Sequence, residues 1–143
     1  MAHAAKTVVY NRIVFVLSLI GIIMAVYVLQ SFLRQTSIVC LNSGCEIVRK
    51  SPLSYPLGIP VPAVGLVGYG ILSILAFLRT TGAKNNLLYP ILGLSAFGVA
   101  FVSWFTFTEL FLIKAVCTWC AVSAVNMLVI FSISLLMYKE AKK

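Results

Sequence analysis

The chain has 143 residues, of which 62% are hydrophobic and only 10% are charged, whereas a soluble domain carries about 25% charged residues. This composition excludes a soluble globular protein and favours an integral membrane protein. The formal net charge of +8 does not indicate a nucleic-acid partner, because the basic residues cluster at the ends of apolar segments, where such residues orient membrane proteins.

Four apolar segments are long enough to cross a lipid bilayer as helices, which takes about 20 residues each. They comprise residues 13–32, 62–78, 87–107 and 117–137. The first is longer than the apolar core of a signal peptide and no clear cleavage site follows it, so we expect it to be retained. The sequence therefore predicts an all-α fold with one membrane domain over residues 1–143. This domain is a four-transmembrane-helix bundle with a long extracytoplasmic loop between helices 1 and 2.

Basic residues flank the four segments unevenly. The N-terminus, the 79–86 connection and the C-terminus share one side, and seven basic residues lie there: Lys6, Arg12, Arg79, Lys84, Lys139, Lys142 and Lys143. The other side carries four: Arg34, Arg49, Lys50 and Lys114. Because loops rich in Lys and Arg stay in the cytoplasm, we expect both termini there. The expected location is the plasma membrane of a prokaryote, with the endoplasmic-reticulum membrane as the alternative.

Four cysteines occur as two close pairs, Cys40 with Cys45 and Cys117 with Cys120. One pair lies between the first and second segments and the other between the third and fourth, so both pairs face the same side whichever way the chain is inserted. If the charge distribution sets the orientation, that side is extracytoplasmic, where disulfides form and persist.

The second pair forms a C-x-x-C motif at the start of the fourth segment. A helix N-terminus carries partial positive charge, which stabilises a thiolate, and the thiolate is the nucleophile of disulfide exchange. The position therefore predicts a redox-active pair. Two alternatives remain: a zinc site made by all four cysteines, whose spacings zinc permits, and two purely structural bridges. A redox pair would exchange readily with a mild dithiol, whereas structural bridges would resist it.

The connection between the first two segments, residues 33–61, is too long for a passive loop. Its part "SPLSYPLGIPVPAVG", residues 51–65, is apolar and rich in proline, and we expect it to lie on the membrane surface as a lid. A lid implies a lipophilic pocket beneath it, with five candidate lining residues: Trp104, Phe105, Phe107, Phe111 and Trp119. The alternative for each is a place in the aromatic belt at the membrane interface or in lipid-facing packing. Glu46, Glu109 and Lys114 are expected to be solvated. The alternative roles are tuning of the Cys45 thiol for Glu46, and proton transfer for Glu109 and Lys114.

These features resemble the vitamin K epoxide reductase family over most of the chain. Members of that family have four spans, a cysteine pair in the loop after the first span, and a C-x-x-C motif opening the fourth. Ser51 follows Cys45 by six residues, as a serine follows the second loop cysteine in the family. Gly58-Ile59-Pro60 and the later Gly65-x-x-x-Tyr69 resemble the family's approach to the second span. The order of the pairs is the reverse of that in the DsbB type of quinone-linked enzyme.

Two positions differ from the animal members of that family. Ala124 stands where they have a tyrosine four residues after the C-x-x-C motif, and Val61 stands where they have an asparagine. Since those residues help recognise the epoxide, the resemblance implies a prokaryotic-type homologue that reduces a quinone of ubiquinone, menaquinone or vitamin K type. Many prokaryotic relatives carry a fused thioredoxin-like domain. Because the chain stops at Lys143, we expect a separate thioredoxin-like (DsbA-type) partner.

The resemblance implies a membrane thiol:quinone oxidoreductase that supports disulfide formation. We expect the partner to attack the loop disulfide at Cys40, Cys45 to attack Cys117, and Cys120 to act on the quinone. The expected quinone contacts are Ser51, Trp119 and Phe111. The alternative is a non-enzymatic four-helix membrane protein with two structural disulfides.

Overall fold

A computed structural model describes residues 2–41, 43–82 and 85–143, and all regular secondary structure within them is helical. The α-helices are α1 (Ala2–Arg34), α2 (Gly44–Lys50), α3 (Val61–Gly82), α4 (Leu88–Thr108) and α5 (Thr118–Lys142). A π-helical turn, Glu109–Ile113, extends α4. Short 3₁₀ turns occupy Pro52–Ser54, Pro56–Gly58 and Asn85–Leu87.

Four of these helices are long and apolar enough to cross a membrane: α1, α3, α4 with its π-helical extension, and α5. The prediction of an all-α protein with four membrane-spanning helices is therefore confirmed. The helices extend beyond the predicted segments at most of their ends, because hydrophobicity marks the part of a helix inside the bilayer and not the turns that continue into the interface. Lys84, which contributed to the predicted orientation, lies outside the described residues.

The four long helices form a ring in which α1 packs against α3 and α5, and α4 packs against α5. The α3–α4 contact is less extensive. One buried cluster, around Tyr69 and Ile130, fills much of the bundle. A second cluster contains Phe32 of α1 and Phe105 of α4 together with Val48 of α2. The segment between α1 and α3 therefore packs onto one end of the bundle and belongs to its core.

Left-handed backbone conformations reverse the chain direction at this end. Gln35 (φ 53°) follows α1, and Lys114 (φ 58°) follows the π-helical turn. The Gln35 side chain donates to the Phe32 carbonyl at 2.7 Å, which satisfies one carbonyl left open at the end of α1. Pro62 and Pro90 lie in the first turns of α3 and α4, where a missing N–H removes no intrahelical bond. The loop after α1 and the start of α5 consequently lie at the same end.

Gly21 of α1 allows a close helix contact, and its replacement is expected to destabilise the bundle. A Cβ atom there would clash with the ring of Tyr69, which is 2% exposed. We expect Gly21→Ala to lower the free energy of unfolding by about 1–3 kcal/mol, the usual effect of overpacking a core. Reversible unfolding in mixed micelles measures this change.

Gly93→Ala in α4 is the matched control, because nothing lies within 4 Å of the added Cβ. Alanine also favours the helical backbone over glycine by up to about 1 kcal/mol. We therefore expect Gly93→Ala to leave the stability unchanged or to raise it. Equal effects of the two substitutions would contradict the Gly21–Tyr69 packing.

Candidate active site

The fold brings all four cysteines together at the end of the bundle where the long loop packs. Cys40 and Cys45 form a disulfide, and Cys117 and Cys120 are free thiols. The Cys117 sulfur lies 3.1 Å from the Cys45 sulfur, and both residues are only 1% exposed. This contact is short enough for a thiol–disulfide exchange in which Cys45 and Cys117 are the reacting pair.

An extended segment of the loop lies across the beginning of α5 and holds Cys40 there. The Trp119 indole N–H donates to the Val39 carbonyl at 2.7 Å. The Cys40 sulfur lies 3.3 Å from the Thr118 hydroxyl. Tyr27 of α1 packs its ring 5.1 Å from that of Trp119, centroid to centroid, and its hydroxyl accepts from the Val39 N–H at 3.3 Å. The first two residues of α5 thus fix the position of the loop disulfide.

Helix α2 carries Cys45 and is anchored by an ion pair. Glu46 accepts from the Ile38 N–H at 3.1 Å and pairs with Arg49. Arg49 is 5% exposed and also donates to the Gln35 side chain at 2.8 Å. The Arg49 guanidinium, helped by the Ile38 N–H, holds the pKa of the Glu46 carboxyl below its ordinary value. Glu46 is partly exposed, as expected for a solvated charge, but it also joins the two ends of the loop segment that contains the disulfide.

Cys117 immediately precedes α5 in an extended conformation (φ −83°, ψ 126°). A hydrogen bond from the Cys120 thiol lowers the pKa of Cys117 to about 7, against the opposing effect of burial. The backbone N–H groups of Cys120 and Trp119 act in the same direction, as expected for a thiolate at a helix N-terminus. These contacts favour the thiolate form of Cys117, which is the nucleophilic form in disulfide exchange.

A cavity of about 470 Å³ lies between the helices beneath these cysteines. All four long helices contribute to its wall, which is almost entirely apolar. Cys120 and Trp119 line it at the end nearest the motif, and Phe105 and Val61 line it from α4 and α3. Cys117 is not part of this wall. The two thiols of the motif therefore differ in position, since Cys117 contacts the loop disulfide and Cys120 faces the cavity.

Tyr69 supplies one of the few polar groups in the cavity wall. Its hydroxyl bonds to the Ser123 carbonyl at 3.1 Å and to the Asn126 amide at 3.4 Å. Asn126 is 9% exposed and also donates to the Leu17 carbonyl at 3.2 Å. Tyr69 was identified only by resemblance, and its hydrogen-bond partners could not be predicted because they lie on another helix.

The predicted site residues are not all brought together. Trp119 and Phe105 line the cavity, whereas Ser51, Phe111, Phe107 and Trp104 do not. Phe111 is 62% exposed and packs against Phe107, with ring centroids 4.6 Å apart. Ser51 caps the 3₁₀ turn that follows it, accepting from the Leu53 N–H at 3.3 Å. Phe111 extends from the π-helical turn towards the outside of the bundle, a direction that its place in the sequence does not reveal.

Glu109 was expected to be a solvated charge at the interface, and this expectation is wrong. Its side chain is 1% exposed, and its Oε1 atom has no hydrogen-bond partner within the described ranges. Lys114, five residues further on, is exposed as expected. Glu109 is the residue of this site whose environment the sequence concealed, and its only signal was a carboxylate eight residues before Cys117.

Comparison with known families agrees with this arrangement. Residues 12–135 match the family model described as "Vitamin K epoxide reductase family", which includes all four cysteines and most of the chain. The search of curated proteins gives no match. Members of the matched family are membrane thiol:quinone oxidoreductases that generally act with thioredoxin-like partners. The four apolar helices, the loop disulfide and the C-x-x-C motif thus have a common explanation: the chain belongs to the vitamin K epoxide reductase family.

Proposed function

We propose that this chain oxidises a thioredoxin-like (DsbA-type) protein and passes the electrons to a membrane quinone. One observation carries the proposal: the Cys45 and Cys117 sulfurs are 3.1 Å apart while Cys120 faces an apolar cavity. The cysteines therefore form a continuous route from the loop to the interior of the bundle. The Cys117 and Cys120 thiols weigh against the alternative of two structural disulfides.

The electron transfer begins at the loop disulfide. A thiolate of the reduced partner attacks Cys40, and the second partner thiol resolves the mixed disulfide, so the partner is oxidised and both loop cysteines become thiols. Cys45 then attacks Cys117 in a Cys117–Cys120 disulfide, and Cys40 attacks Cys45 to re-form the loop bond. The result is a loop disulfide with two thiols in the motif, which is the bonding state described above.

The cavity fits the ring of a quinone, since it is apolar and has a thiol in its wall. Val61, Phe105 and Met127 would enclose the ring, and the Tyr69 hydroxyl is a polar group that could orient it. When bound, a quinone supplies an acceptor for two electrons and two protons. Oxidation of the Cys117 and Cys120 thiols to a disulfide releases two electrons and two protons, and Cys120 is the thiol placed to donate them.

The proposed orientation puts the cysteines on the extracytoplasmic side of the plasma membrane and both termini in the cytoplasm. The positive-inside distribution supports it, and so does the chemistry, because a loop disulfide persists in an oxidising compartment. An endoplasmic-reticulum membrane with the cysteines facing the lumen is chemically equivalent.

An anaerobic assay tests the function directly. Purified protein in detergent is mixed with a reduced thioredoxin-like protein and a short-chain quinone, and quinone absorbance is followed. We expect quinone loss that requires both proteins. No loss with ubiquinone, menaquinone and vitamin K type quinones, from folded protein that retains its loop disulfide, would contradict the proposal.

A substitution that fills the cavity should weaken quinone binding without disturbing the fold. Gly68 lines the cavity, and nothing lies within 4 Å of a Cβ added to it. We expect Gly68→Leu to raise the KM for quinone about tenfold or more, equivalent to about 1.4 kcal/mol, because the new side chain occupies the space of the ring. Steady-state kinetics with varied quinone measure this effect.

Gly70→Leu provides the control for this substitution. A Cβ at Gly70 also meets nothing within 4 Å, and Gly70 does not line the cavity. We therefore expect Gly70→Leu to keep the KM of the wild type. A similar KM for the two variants would indicate that the quinone binds elsewhere.

A further inference from the structure

Glu109 is a buried carboxyl that the exchange steps above do not use. It is 1% exposed, and no ion pair within residues 2–41, 43–82 and 85–143 involves it. Its Oε1 atom has no hydrogen-bond partner there either. Burial of an ionisable group without a compensating charge is costly, and such a group near a membrane interior commonly serves a function.

The turn between α4 and α5 places this carboxyl next to the motif. Glu109 begins the π-helical turn, a form that occurs often at functional sites. Its carbonyl accepts from the Ala115 N–H at 3.1 Å, so the chain folds back over it. The carboxyl then interacts with the Cys120 side chain and the Cys117 backbone. Glu109 is thus in contact with the thiol that faces the cavity.

Cys120 needs a proton acceptor because the thiolate, not the thiol, is the electron donor. The chain has three carboxylates and one histidine. Glu46 is engaged by Arg49 and Ile38. Glu140 pairs with His3 and Lys143 near the ends of α1 and α5 remote from the motif. Glu109 is therefore the one carboxylate of this chain placed to act on Cys120.

We propose that Glu109 accepts the proton of the Cys120 thiol during quinone reduction, a role that rests on the proposed function. The S–H bond of Cys120 breaks and an O–H bond forms on Glu109. Formation of the Cys117–Cys120 disulfide then releases two electrons to the quinone. One proton comes from Glu109, which becomes a carboxylate again, and the other comes from Cys117. The two electrons and two protons equal those that convert a quinone into a quinol.

Other titratable groups surround Glu109 on the elements packed against it. They are Cys117 just before α5, Cys120 on α5, Lys114 just after the π-helical turn, and Cys45, Glu46, Arg49 and Lys50 on α2. Cys45 does not titrate while it is in the loop disulfide, and Glu46 and Arg49 pair with each other. A change in the pH dependence on substitution of Glu109 can therefore be assigned to Glu109 and the two thiols.

The test is a single turnover of protein whose motif is reduced and whose loop is oxidised, mixed with a short-chain quinone. We expect Glu109→Gln to slow quinone reduction about 10²-fold, the usual contribution of a general base. The ratio of the wild-type rate to the Glu109→Gln rate should fall as pH rises, because hydroxide replaces the missing base. Glu109→Asp should recover part of the rate, and Glu140→Gln should keep the wild-type rate. A Glu109→Gln rate equal to the wild type, or a slower rate with an unchanged pH profile, would overturn the proposal.

A second measurement works without quinone. In a Cys117→Ala background, a lipid-soluble maleimide reacts with Cys120 at a rate set by its thiolate, and we expect Glu109→Gln to lower this rate about tenfold. No change would overturn the role of Glu109 whatever the quinone result. The wild-type protein could reduce no quinone while Glu109→Gln still lowers the maleimide reaction rate in the Cys117→Ala background. This pair of results would refute the proposed function and leave Glu109 as the proton acceptor of Cys120.

Discussion

Replacing Cys120 with serine is expected to lower the rate of quinone reduction by about 10³-fold or more, because the variant lacks the thiol that faces the cavity. Cys117 still lies 3.1 Å from the Cys45 sulfur, so it can attack the loop disulfide. In this variant only Cys40 can open the resulting Cys45–Cys117 bond, because Cys120 is absent. We therefore expect a fraction of the protein to hold the Cys45–Cys117 bond with a free Cys40 thiol, in exchange with the loop disulfide.

Two measurements follow these outcomes. Quinone absorbance gives the rate, and mass spectrometry of the alkylated, non-reduced protein identifies the Cys45–Cys117 link. Val122→Ser is the control. Val122 is 45% exposed, so this substitution introduces the same hydroxyl group on the outside of α5. If Cys120→Ser kept more than about a tenth of the wild-type rate, electrons would have to leave the protein from Cys117 or by another route.

Replacing Cys45 with serine is expected to separate the two halves of the reaction. Oxidation of the thioredoxin-like partner should fall by about 10³-fold, because Cys45 is the loop cysteine whose sulfur contacts Cys117. Quinone reduction driven by a small membrane-permeant dithiol should persist in part, since such a reductant reaches the motif directly. Assaying the same preparation with both reductants gives the comparison.

Cys40→Ser is compared with Cys45→Ser to distinguish the roles of the two loop cysteines. It also removes the loop disulfide, so partner oxidation should be lost, but its Cys45 can still form a bond to Cys117. We expect that bond in Cys40→Ser and not in Cys45→Ser. Equal loss of both activities in folded loop variants would falsify the proposed electron transfer through Cys40 and Cys45. It would mean that the loop cysteines do not carry electrons.

The sequence was sufficient for the parts of this protein that depend on local composition. Apolar segments of spanning length predict membrane helices because a bilayer leaves a chain few other ways to satisfy its backbone. The number of segments between the cysteine pairs places both pairs on one side. The order and spacing of Cys40, Cys45, Cys117 and Cys120 were sufficient to recognise the family, since they are properties of the chain itself.

The directions of the aromatic side chains could not be predicted from the sequence. Trp119 and Phe111 were equivalent candidates, since both lie near the ends of spans and both are large and apolar. The structure puts Trp119 in the cavity wall and leaves Phe111 62% exposed. Their directions depend on the π-helical turn and on the left-handed Lys114, and neither feature has a pattern in the sequence.

The sequence alone determined the helical class, the number of spans, the family and the grouping of the cysteines, because each follows from residue type and spacing. Only the tertiary structure decided that Cys45 meets Cys117, that Cys120 faces the cavity, and that Glu109 is buried beside it. These three facts depend on contacts between segments far apart in the chain, for example residues 45 and 117. Contacts of this kind are set by how α1, α2, α4 and α5 pack together, and composition and periodicity do not specify that packing.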